Sequence, residues 1–560
     1  MRHSGTRPDE FTLTAALAAT SDLRDLTAGT KLHALALCSG FYSLPVANSI
    51  VDMYGKCCCP LDAARAFHLM ERHNEVSWCS LLHAYTNCGL LQKAHHLFNE
   101  MPSKNTVAWN VMIMGSTLCN EPAMSIDLFK RMLLSGSEAD TVTFSGLLNA
   151  CAELDQPCFG RMIHSMIFQI GWIDAVEISN SILSFYAAFG FKNDAVKIFA
   201  AMRIQNQVSW NAMINAHMKV GSVEEALSLF KRAPKINIIS WTSMIGGFAK
   251  NGHGEEALSA FVQMMKDSYR PDDFTFGAVL HACTILAVLG YGKMVHSCVI
   301  QSGFGSFIYV SNGMVNMYAK CGDIGDASRV FDGMQWKDVV SWNAMILGFA
   351  LHGWASKAFD LYKEMVSSDI LPDKLTFLGL LMACSHSGLV EDGRGFFDMM
   401  QSVHGLSPDF DHVNCIIDML GRAGHLKEAS KLSEGYSRVV GERCMDSCEA
   451  LLSACTVSGD LGVGKEVGNK LMRTEPDKEV GYVMLSNLYC VSSQWMEAEK
   501  VRKEMVVQGV KKAPGCSWIE VREAVKIFTS GSQSLTHMLD VHEMLGCLES
   551  QMRNQVSFFS

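Results

Sequence analysis

A repeated pattern of apolar positions, closed each time by a glycine and a polar residue, runs along the chain, and residues 207–237 show it clearly. Its first half has the i, i+3, i+4, i+7 spacing of one helical face, occupied by Trp210, Met213, Ile214 and His217. Gly221 then supplies a left-handed helix stop, and Ser222 can cap the helix that follows. The two helices form a hairpin with two apolar stripes, which one hairpin cannot bury alone. Neighbouring hairpins must therefore stack.

The same unit recurs along most of the chain. The segment Val-Ser-Trp-Asn-Ala-Met-Ile occurs at 208–214 and again at 340–346, and the tryptophans of this segment and its weaker copies are spaced by 31, 101, 31 and 101 residues. Unit lengths alternate between 35 and 31, with one of 36 and a first of 34. The unit boundaries are 10–43, 44–74, 75–105, 106–140, 141–175, 176–206, 207–237, 238–272, 273–307, 308–338, 339–373, 374–409 and 410 to about 441. This self-similarity predicts an all-α stack of helical hairpins.

The net charge of −10 and the 20 cysteines narrow the function classes. The acidic balance argues against indiscriminate nucleic-acid binding through a basic surface but does not exclude a selective RNA binder. Many cysteines occupy fixed repeat columns, which indicates small packing groups, and no C-x-x-C supports a zinc site. The cysteines that follow an alanine in one column are Cys151, Cys283, Cys384 and Cys455. No apolar run approaches the ~18 residues that cross a bilayer, so no membrane association is expected.

The 35/35/31 alternation, Ser-Trp-Asn-Ala-Met-Ile and the segment Asn-Met-Tyr-Ala-Lys-Cys-Gly at 316–322 resemble the pentatricopeptide repeats of plant organelle RNA-editing factors, in their long–short class. The resemblance covers nearly the whole chain. It implies a right-handed α-solenoid superhelix over 10–441. Residues 1–9 are similar to the tail of a repeat, so we expect an incomplete N-terminus without a transit peptide.

From about residue 445 the pattern changes, and the C-terminal region resembles the extension of these factors. Residues 450–455 and 481–489 resemble the tetratricopeptide-like E1 and E2 motifs, which we place at 442–512. Residues 514–521, Pro-Gly-Cys-Ser-Trp-Ile-Glu-Val, resemble the PG box, and we assign 513–560 to its remnant. Within it, 516–522 and 525–529 are rich in β-branched and aromatic residues and predict a short hairpin. The tail to 556 is predicted to return to helix.

The resemblance also implies how RNA is read. In the family, the fifth residue of a unit and its last residue read one base by hydrogen bonding. Asn with Asp prefers U, Asn with Asn prefers C or U, and Thr with Asp prefers G. Carried over here, the pairs are Asn48 with Asn74, Asn110 with Asp140, Asn180 with Asn206, Asn211 with Asn237, Thr242 with Asp272, Asn312 with Asp338 and Asn343 with Asp373. An isolated Asn at a helix start is as often a cap or a solvated polar residue, but seven pairs in register favour base reading.

Some positions depart from this pattern. Cys79 with Asn105 is not a recognised pair, and the intervening long units have Ser145, Gly277 and Leu378 at the fifth position. Asn414 has no partner in the code because the end of its unit is irregular. These units are therefore not assigned to a base.

A catalytic role is not expected. Longer members of the family carry a zinc cytidine deaminase domain, which needs H-x-E and P-C-x-x-C. This chain has His73-Asn-Glu75 and His253-Gly-Glu255, both at unit boundaries or turns, and no P-C-x-x-C. We expect no enzyme activity, metal, cofactor or small-molecule substrate.

The sequence thus predicts a factor that binds single-stranded organellar RNA and marks a cytidine for C-to-U editing. A deaminase-bearing partner would act in trans through residues 442–556. The location is expected to be the mitochondrion, with the chloroplast as the alternative. Two other functions remain open: an organellar factor for transcript stabilisation, splicing or translation, and a protein–protein scaffold.

Overall fold

The computed structural model describes residues 8–440, 445–512, 516–521 and 524–529. The chain divides into an N-terminal body, Met1–Arg270, and a C-terminal body, Pro271–Ser560. Residues 1–7 of the predicted repeat tail and the helix predicted beyond 529 lie outside the described residues.

The described part of the N-terminal body consists of eight helical hairpins, one for each sequence unit from 10 to 272, and one 3₁₀ turn, Trp172–Asp174. The helices are α1 (Glu10–Asp22), α2 (Leu26–Cys38), α3 (Leu44–Lys56), α4 (Pro60–His68), α5 (Glu75–Asn87), α6 (Leu91–Glu100), α7 (Thr106–Leu118), α8 (Pro122–Leu134), α9 (Thr141–Glu153), α10 (Pro157–Ile170), α11 (Val176–Ala188), α12 (Lys192–Ala201), α13 (Gln207–Lys219), α14 (Val223–Arg232), α15 (Ile238–Lys250) and α16 (Gly254–Lys266). The first helix of each hairpin packs on its own partner and on the first helix of the next hairpin.

The described part of the C-terminal body continues this arrangement and adds a β-hairpin. Its helices are α17 (Asp273–Leu286), α18 (Leu289–Gln301), α19 (Ile308–Lys320), α20 (Ile324–Gly333), α21 (Val339–Leu351), α22 (Ala355–Ser367), α23 (Lys374–Ser387), α24 (Val390–Ser402), α25 (Phe410–Arg422), α26 (Leu426–Val440), α27 (Met445–Ser458), α28 (Leu461–Thr474), α29 (Glu479–Val491) and α30 (Trp495–Val507). Strands β1 (Cys516–Val521) and β2 (Ala524–Thr529) pair antiparallel, with Trp518 opposite Ile527. The predicted all-α class with a small hairpin is confirmed.

The repeated tryptophans belong to the core between hairpins. Trp109 on α7 is buried and meets Phe98 of α6 edge-on, with ring centroids 4.7 Å apart. The same contact recurs between Trp342 on α21 and Phe331 of α20, at 5.2 Å. Because each tryptophan packs against the second helix of the preceding unit, it couples neighbouring units, as the apolar pattern predicts.

At the turn between α13 and α14, the structure confirms the prediction for Gly221 and differs from the prediction for Ser222. Gly221 has φ 74°, the left-handed conformation that ends α13. Ser222 occupies the N-cap position of α14, but its hydroxyl makes no capping bond. Instead it accepts a hydrogen bond from Lys192 Nζ at 2.8 Å. The lysine of the preceding unit uses the oxygen that we expected to cap the helix.

The cysteines of the alanine-preceded column are small core residues, as predicted. Cys151, Cys283, Cys384 and Cys455 are buried free thiols. Burial raises the pKa of Cys151 and of Cys283 to about 12, so these thiols are protonated at neutral pH. None of the described helices combines the length and the apolar content that a bilayer crossing requires.

Candidate functional site

Six of the seven predicted residue pairs lie within one body each, and in all six the two side chains are hydrogen-bonded. The fifth residue of the unit is buried in the first helix, and the last residue is the N-cap of the next unit's first helix. The asparagine Nδ2 donates to the Oδ1 of its partner in Asn48–Asn74 at 3.2 Å, Asn110–Asp140 at 2.9 Å, Asn180–Asn206 at 3.1 Å, Asn211–Asn237 at 3.3 Å, Asn312–Asp338 at 3.1 Å and Asn343–Asp373 at 2.9 Å. The repeat register therefore brings together residues 26 or 30 positions apart.

Each pair is held by a hydroxyl residue three positions after the cap, as the unit 106–140 shows. The Asp140 N–H donates to Thr143 Oγ1 at 3.1 Å, and the Thr143 hydroxyl donates to Asn110 Oδ1 at 2.6 Å. The Asn110 amide donates to Asp140 Oδ1, which also accepts from the Thr143 N–H at 2.8 Å. These bonds form a closed ring in which each polar group fixes the next. We name this arrangement the cap ring.

The cap ring recurs with serine or threonine at the same column. The hydroxyls of Ser77, Ser209, Ser240 and Thr376 donate to Asn48, Asn180, Asn211 and Asn343 at 2.6 to 2.7 Å. Because the hydroxyl occupies the asparagine Oδ1, the Nδ2 must face the last residue. The ring thereby settles which way the buried amide points.

One atom of each capping side chain is left over. Oδ1 of the cap serves the ring, and the second atom, Oδ2 in Asp140 and Nδ2 in Asn74, has no hydrogen-bond partner among the described residues. The buried asparagine likewise keeps one of its two Nδ2 protons. A pair with Asp therefore offers one donor and one acceptor, whereas a pair with Asn offers two donors. Capping leaves these atoms unused, so it is compatible with the predicted base-reading role.

The pair Asn312–Asp338 departs slightly from the ring. Ser341 donates to Asp338 Oδ1 at 2.8 Å, and Asn312 Oδ1 is buried with no hydrogen-bond donor among the residues that the structure describes. Burial alone would raise the pKa of Asp338, but hydrogen bonds from the Ser341 N–H and hydroxyl and from Asn312 outweigh it and hold the pKa below its ordinary value. Asp338 is therefore an ionised acceptor at neutral pH.

The seventh predicted pair is divided between the bodies. Thr242 lies on α15 of the N-terminal body. Asp272 caps α17 of the C-terminal body, where its carboxylate accepts from the Thr275 N–H at 2.8 Å. The G-reading role of this pair stays a prediction.

The positions left unassigned have their own contacts. Ser145 accepts a hydrogen bond from Ser181 at 2.9 Å, and Asn414 Oδ1 is buried without a partner. Gly277 and Leu378 offer no side-chain hydrogen-bonding group. Cys79 Sγ lies 3.8 Å from Asn105 Oδ1, so the unrecognised pair has the same placement as the others with a weaker donor.

A column of exposed apolar side chains accompanies the pairs, and our sequence reasoning missed it. It is the second residue of most units: Val76, Val107, Val142, Val208 and Ile239 in the N-terminal body, and Phe274, Tyr309, Val340 and Leu375 in the C-terminal body. All are 44 to 62% exposed. The signal in the sequence is a large apolar residue, mostly β-branched or aromatic, at fixed register outside the buried stripe.

One cavity is lined both by a polar pair and by side chains of this exposed apolar column. A cavity of about 300 Å³ in the N-terminal body is lined by Asn110 and Asp140 and by Val107 and Val142. Polar groups at one side and apolar side chains from two successive units suit a flat ring with a polar edge.

Comparison with known proteins identifies the repeats. Models of the PPR repeat match 76–106, 107–137, 208–238, 309–339 and 375–403, and a second model of the PPR repeat family matches 236–284 and 337–386. A mitochondrial pentatricopeptide repeat-containing protein of Arabidopsis thaliana is 48% identical over 563 residues, which cover 100% of this chain and 90% of that relative. The chain belongs to the pentatricopeptide repeat family.

Other pentatricopeptide repeat proteins and an extension motif match as well. A second Arabidopsis thaliana relative is 36% identical over 99% of this chain and 76% of its own length, and a chloroplastic one is 32% identical over 94% and 57%. The E motif model matches residues 459–520. The crystal structure of the pentatricopeptide repeat protein PPR10 from maize covers 90% of this chain and 80% of its own, with 16% identity and a TM-score of 0.44.

The cap ring of a pentatricopeptide repeat unit can be tested at Thr143. Thr143→Val keeps the side-chain shape but removes the hydroxyl, which leaves the buried Asn110 Oδ1 without a donor. We expect a loss of ~1–3 kcal/mol in the free energy of unfolding, measured with urea, because an orphaned buried acceptor costs its full desolvation. Thr143→Ser, which restores the hydroxyl, should lose less than half as much. A free energy of unfolding that is unchanged by Thr143→Val would mean that the ring does not stabilise this site.

Proposed function

We propose that the chain binds single-stranded RNA along the column of residue pairs, one base to each pair. The supporting observation is the cap ring, which leaves two oriented hydrogen-bonding groups in each of the five units described with it, beside exposed apolar side chains. Uracil presents an N–H donor between carbonyl acceptors, so it matches the donor and acceptor of Asn110 and Asp140. Cytosine presents two adjacent acceptors, N3 and O2, so it matches the two donors of Asn48 and Asn74.

The charge of the chain supports a base-driven mode of binding. With a net charge of −10, phosphate attraction alone supplies little affinity, so binding depends on the base edges and on stacking against the apolar column. The units with pairs then read, in chain order, pyrimidine, U, pyrimidine, pyrimidine, G, U and U. The G rests on Thr242 and Asp272.

The biological role we propose is site recognition for organellar C-to-U RNA editing. Three features support it: the alternation of long and short units, the match of 459–520 to the E motif, and the region resembling a PG box. We assign deamination to a partner that acts in trans through 442–556. The 48% identical relative is mitochondrial, which favours the mitochondrion over the chloroplast.

A knockout line tests this role. Sequencing of organellar transcripts should show one or a few cytidines that are no longer edited, preceded by a sequence that fits the seven-base order above. Complementation with the intact gene should restore them. Normal editing together with altered transcript ends, introns or translation would overturn the editing role in favour of RNA stabilisation, splicing or translation. Failure of the purified chain to select an RNA of the predicted order would overturn base reading itself.

A further inference from the structure

The unit 75–105 differs from its neighbours at three positions that all meet at one capping residue. Asn105 caps α7 through the Ala108 N–H at 2.9 Å, as the other caps do. The column that holds serine or threonine in the units with a cap ring is Ala108 here, the third residue of the next unit, so there is no hydroxyl to close a ring. Cys79 replaces the asparagine. The third difference is Glu75, an acidic first residue, where the next unit has Thr106.

Glu75 accepts one of the two protons of the capping amide that the other units leave open. Asn105 Nδ2 donates to Glu75 Oε2 at 2.7 Å, and Ser103 Oγ donates to Glu75 Oε1 at 3.4 Å. A short bond from an amide to a carboxylate is among the stronger neutral–charged hydrogen bonds. Asn105 thus has Oδ1 in the cap and one Nδ2 proton on Glu75, and this bond fixes the direction of the other Nδ2 proton.

The thiol of Cys79 does not compensate for the amide proton of Asn105 that Glu75 accepts. Burial raises the pKa of Cys79 to about 11, so the group is a protonated thiol. It faces Asn105 Oδ1 at 3.8 Å and is a weak donor compared with the amides, which lie 2.9 to 3.3 Å from their partners. Glu75 is exposed, and its carboxylate places a negative charge beside this residue pair, which disfavours a nearby phosphate.

We infer that Glu75 is a specificity-determining residue that removes the base preference of the unit 75–105 by holding the Asn105 amide. The nucleotide between those of units 44–74 and 106–140, which we name the silent nucleotide, is therefore not discriminated. This inference rests on the proposed RNA binding. It differs from the pair code, which assigns the lack of preference to Cys79 alone.

The experiment compares variants that share a restored pair and hydroxyl. The background carries Cys79→Asn and Ala108→Ser, and to it we add Glu75→Gln or Glu75→Thr. Gln keeps an oxygen that can accept from Asn105 but loses the charge, whereas Thr, the residue of the next unit, removes the acceptor. The probes are four RNAs of the predicted order that vary only at the silent nucleotide.

With Glu75 or with Gln at that position, the background should prefer no base by more than ~2-fold. With Thr it should bind pyrimidines ~10-fold more tightly than purines, the scale of one mismatched base. The single Glu75→Thr variant should show a smaller preference of ~3-fold in the same direction, the size of one net hydrogen bond. This variant needs no rebuilt ring, so it tests the inference even if the combined variant does not fold.

The nucleotide read by Asn110 and Asp140 is the internal control for folding and for the proposed function. Every variant should keep its preference for U there. If U is preferred there but the background with Glu75 already selects pyrimidines at the silent nucleotide, or Glu75→Thr adds nothing, the inference is wrong and base reading stands. If the wild type shows no preference at the control nucleotide, base reading fails and the inference fails with it.

Discussion

Removal of residues 513–560 is expected to abolish editing of the target cytidine while the affinity for RNA stays nearly unchanged. All residue pairs lie between Asn48 and Asp373, and the last described helix, α30, ends at Val507. The cut therefore leaves every described helix and every cap ring in place. Because the repeat units stack only on their neighbours, loss of the terminal segment should not propagate into the array.

Two measurements separate binding from editing. The affinity of the truncated and intact chains for the same target RNA is measured in vitro, and editing is sequenced in a knockout line that expresses either chain. A chain ending at residue 529, which keeps strands β1 and β2, is the matched control that separates the hairpin from the residues after it. Editing by the chain ending at 512 would place partner recruitment in α27–α30 or in the repeats. A large loss of RNA affinity would mean that the segment itself contacts RNA.

Much of the fold could be predicted because the repeat makes its determinants periodic. Trp109 and Trp342 occur on a regular grid, and a residue on such a grid that alternates with polar positions has to face the neighbouring unit. Gly221 marks a hairpin turn by the same logic, since its positive φ is accessible to few other residues. Pattern and turn chemistry agree in nearly every unit, which is the condition for a confident prediction.

The close packing between helices of neighbouring units could not be predicted from the sequence in the same way. Gly160 on α10 stands where an added Cβ would lie 2.1 Å from Phe185 Cε2, and Gly292 on α18 where it would lie 2.2 Å from Met317 Sδ. These glycines allow the second helix of one unit to approach the first helix of the next. In the sequence they have no turn signal, because their role depends on a helix that arrives from another unit.

The candidate site was predictable as a set of residues but not as a set of atoms. The resemblance to the family, applied in the repeat register, implies that Asn110 and Asp140 belong together, and the structure brings them to 2.9 Å. Thr143 belongs to a column of serine and threonine residues that is visible in the sequence, yet only the geometry reveals that its hydroxyl fixes the orientation of the Asn110 amide. The bond from Asn105 to Glu75 could not be foreseen, because both residues have solvated alternatives on an exposed surface.

Exchange of a single capping atom should change the base that a unit selects. Asp140→Asn keeps Oδ1 for the cap ring and replaces the free Oδ2 acceptor by an Nδ2 donor, so the preference at that nucleotide is expected to widen from U alone to C or U, with a gain in affinity for C. A mismatch at a read base costs ~1–3 kcal/mol in DNA complexes, which corresponds to ~5- to 150-fold in affinity if the same scale holds for RNA. Asn and Asp are about equally good caps, so the stability should change little.

The reciprocal exchange, from an asparagine cap to an aspartate cap, tests the role of the free capping atom in the opposite direction. Asn206→Asp, in the pair with Asn180, replaces the free donor by an acceptor and is expected to narrow the preference of its nucleotide from pyrimidine to U. Both variants and the wild type are titrated against RNAs that carry C or U at either position, and each variant serves as the control for the other site. Because one exchange adds a negative charge and the other removes one, a general electrostatic effect would shift affinity for all RNAs in opposite directions. A change confined to one nucleotide in each variant can arise only from the exchanged atom, whereas unchanged rankings would mean that the free atom of the cap does not face the base.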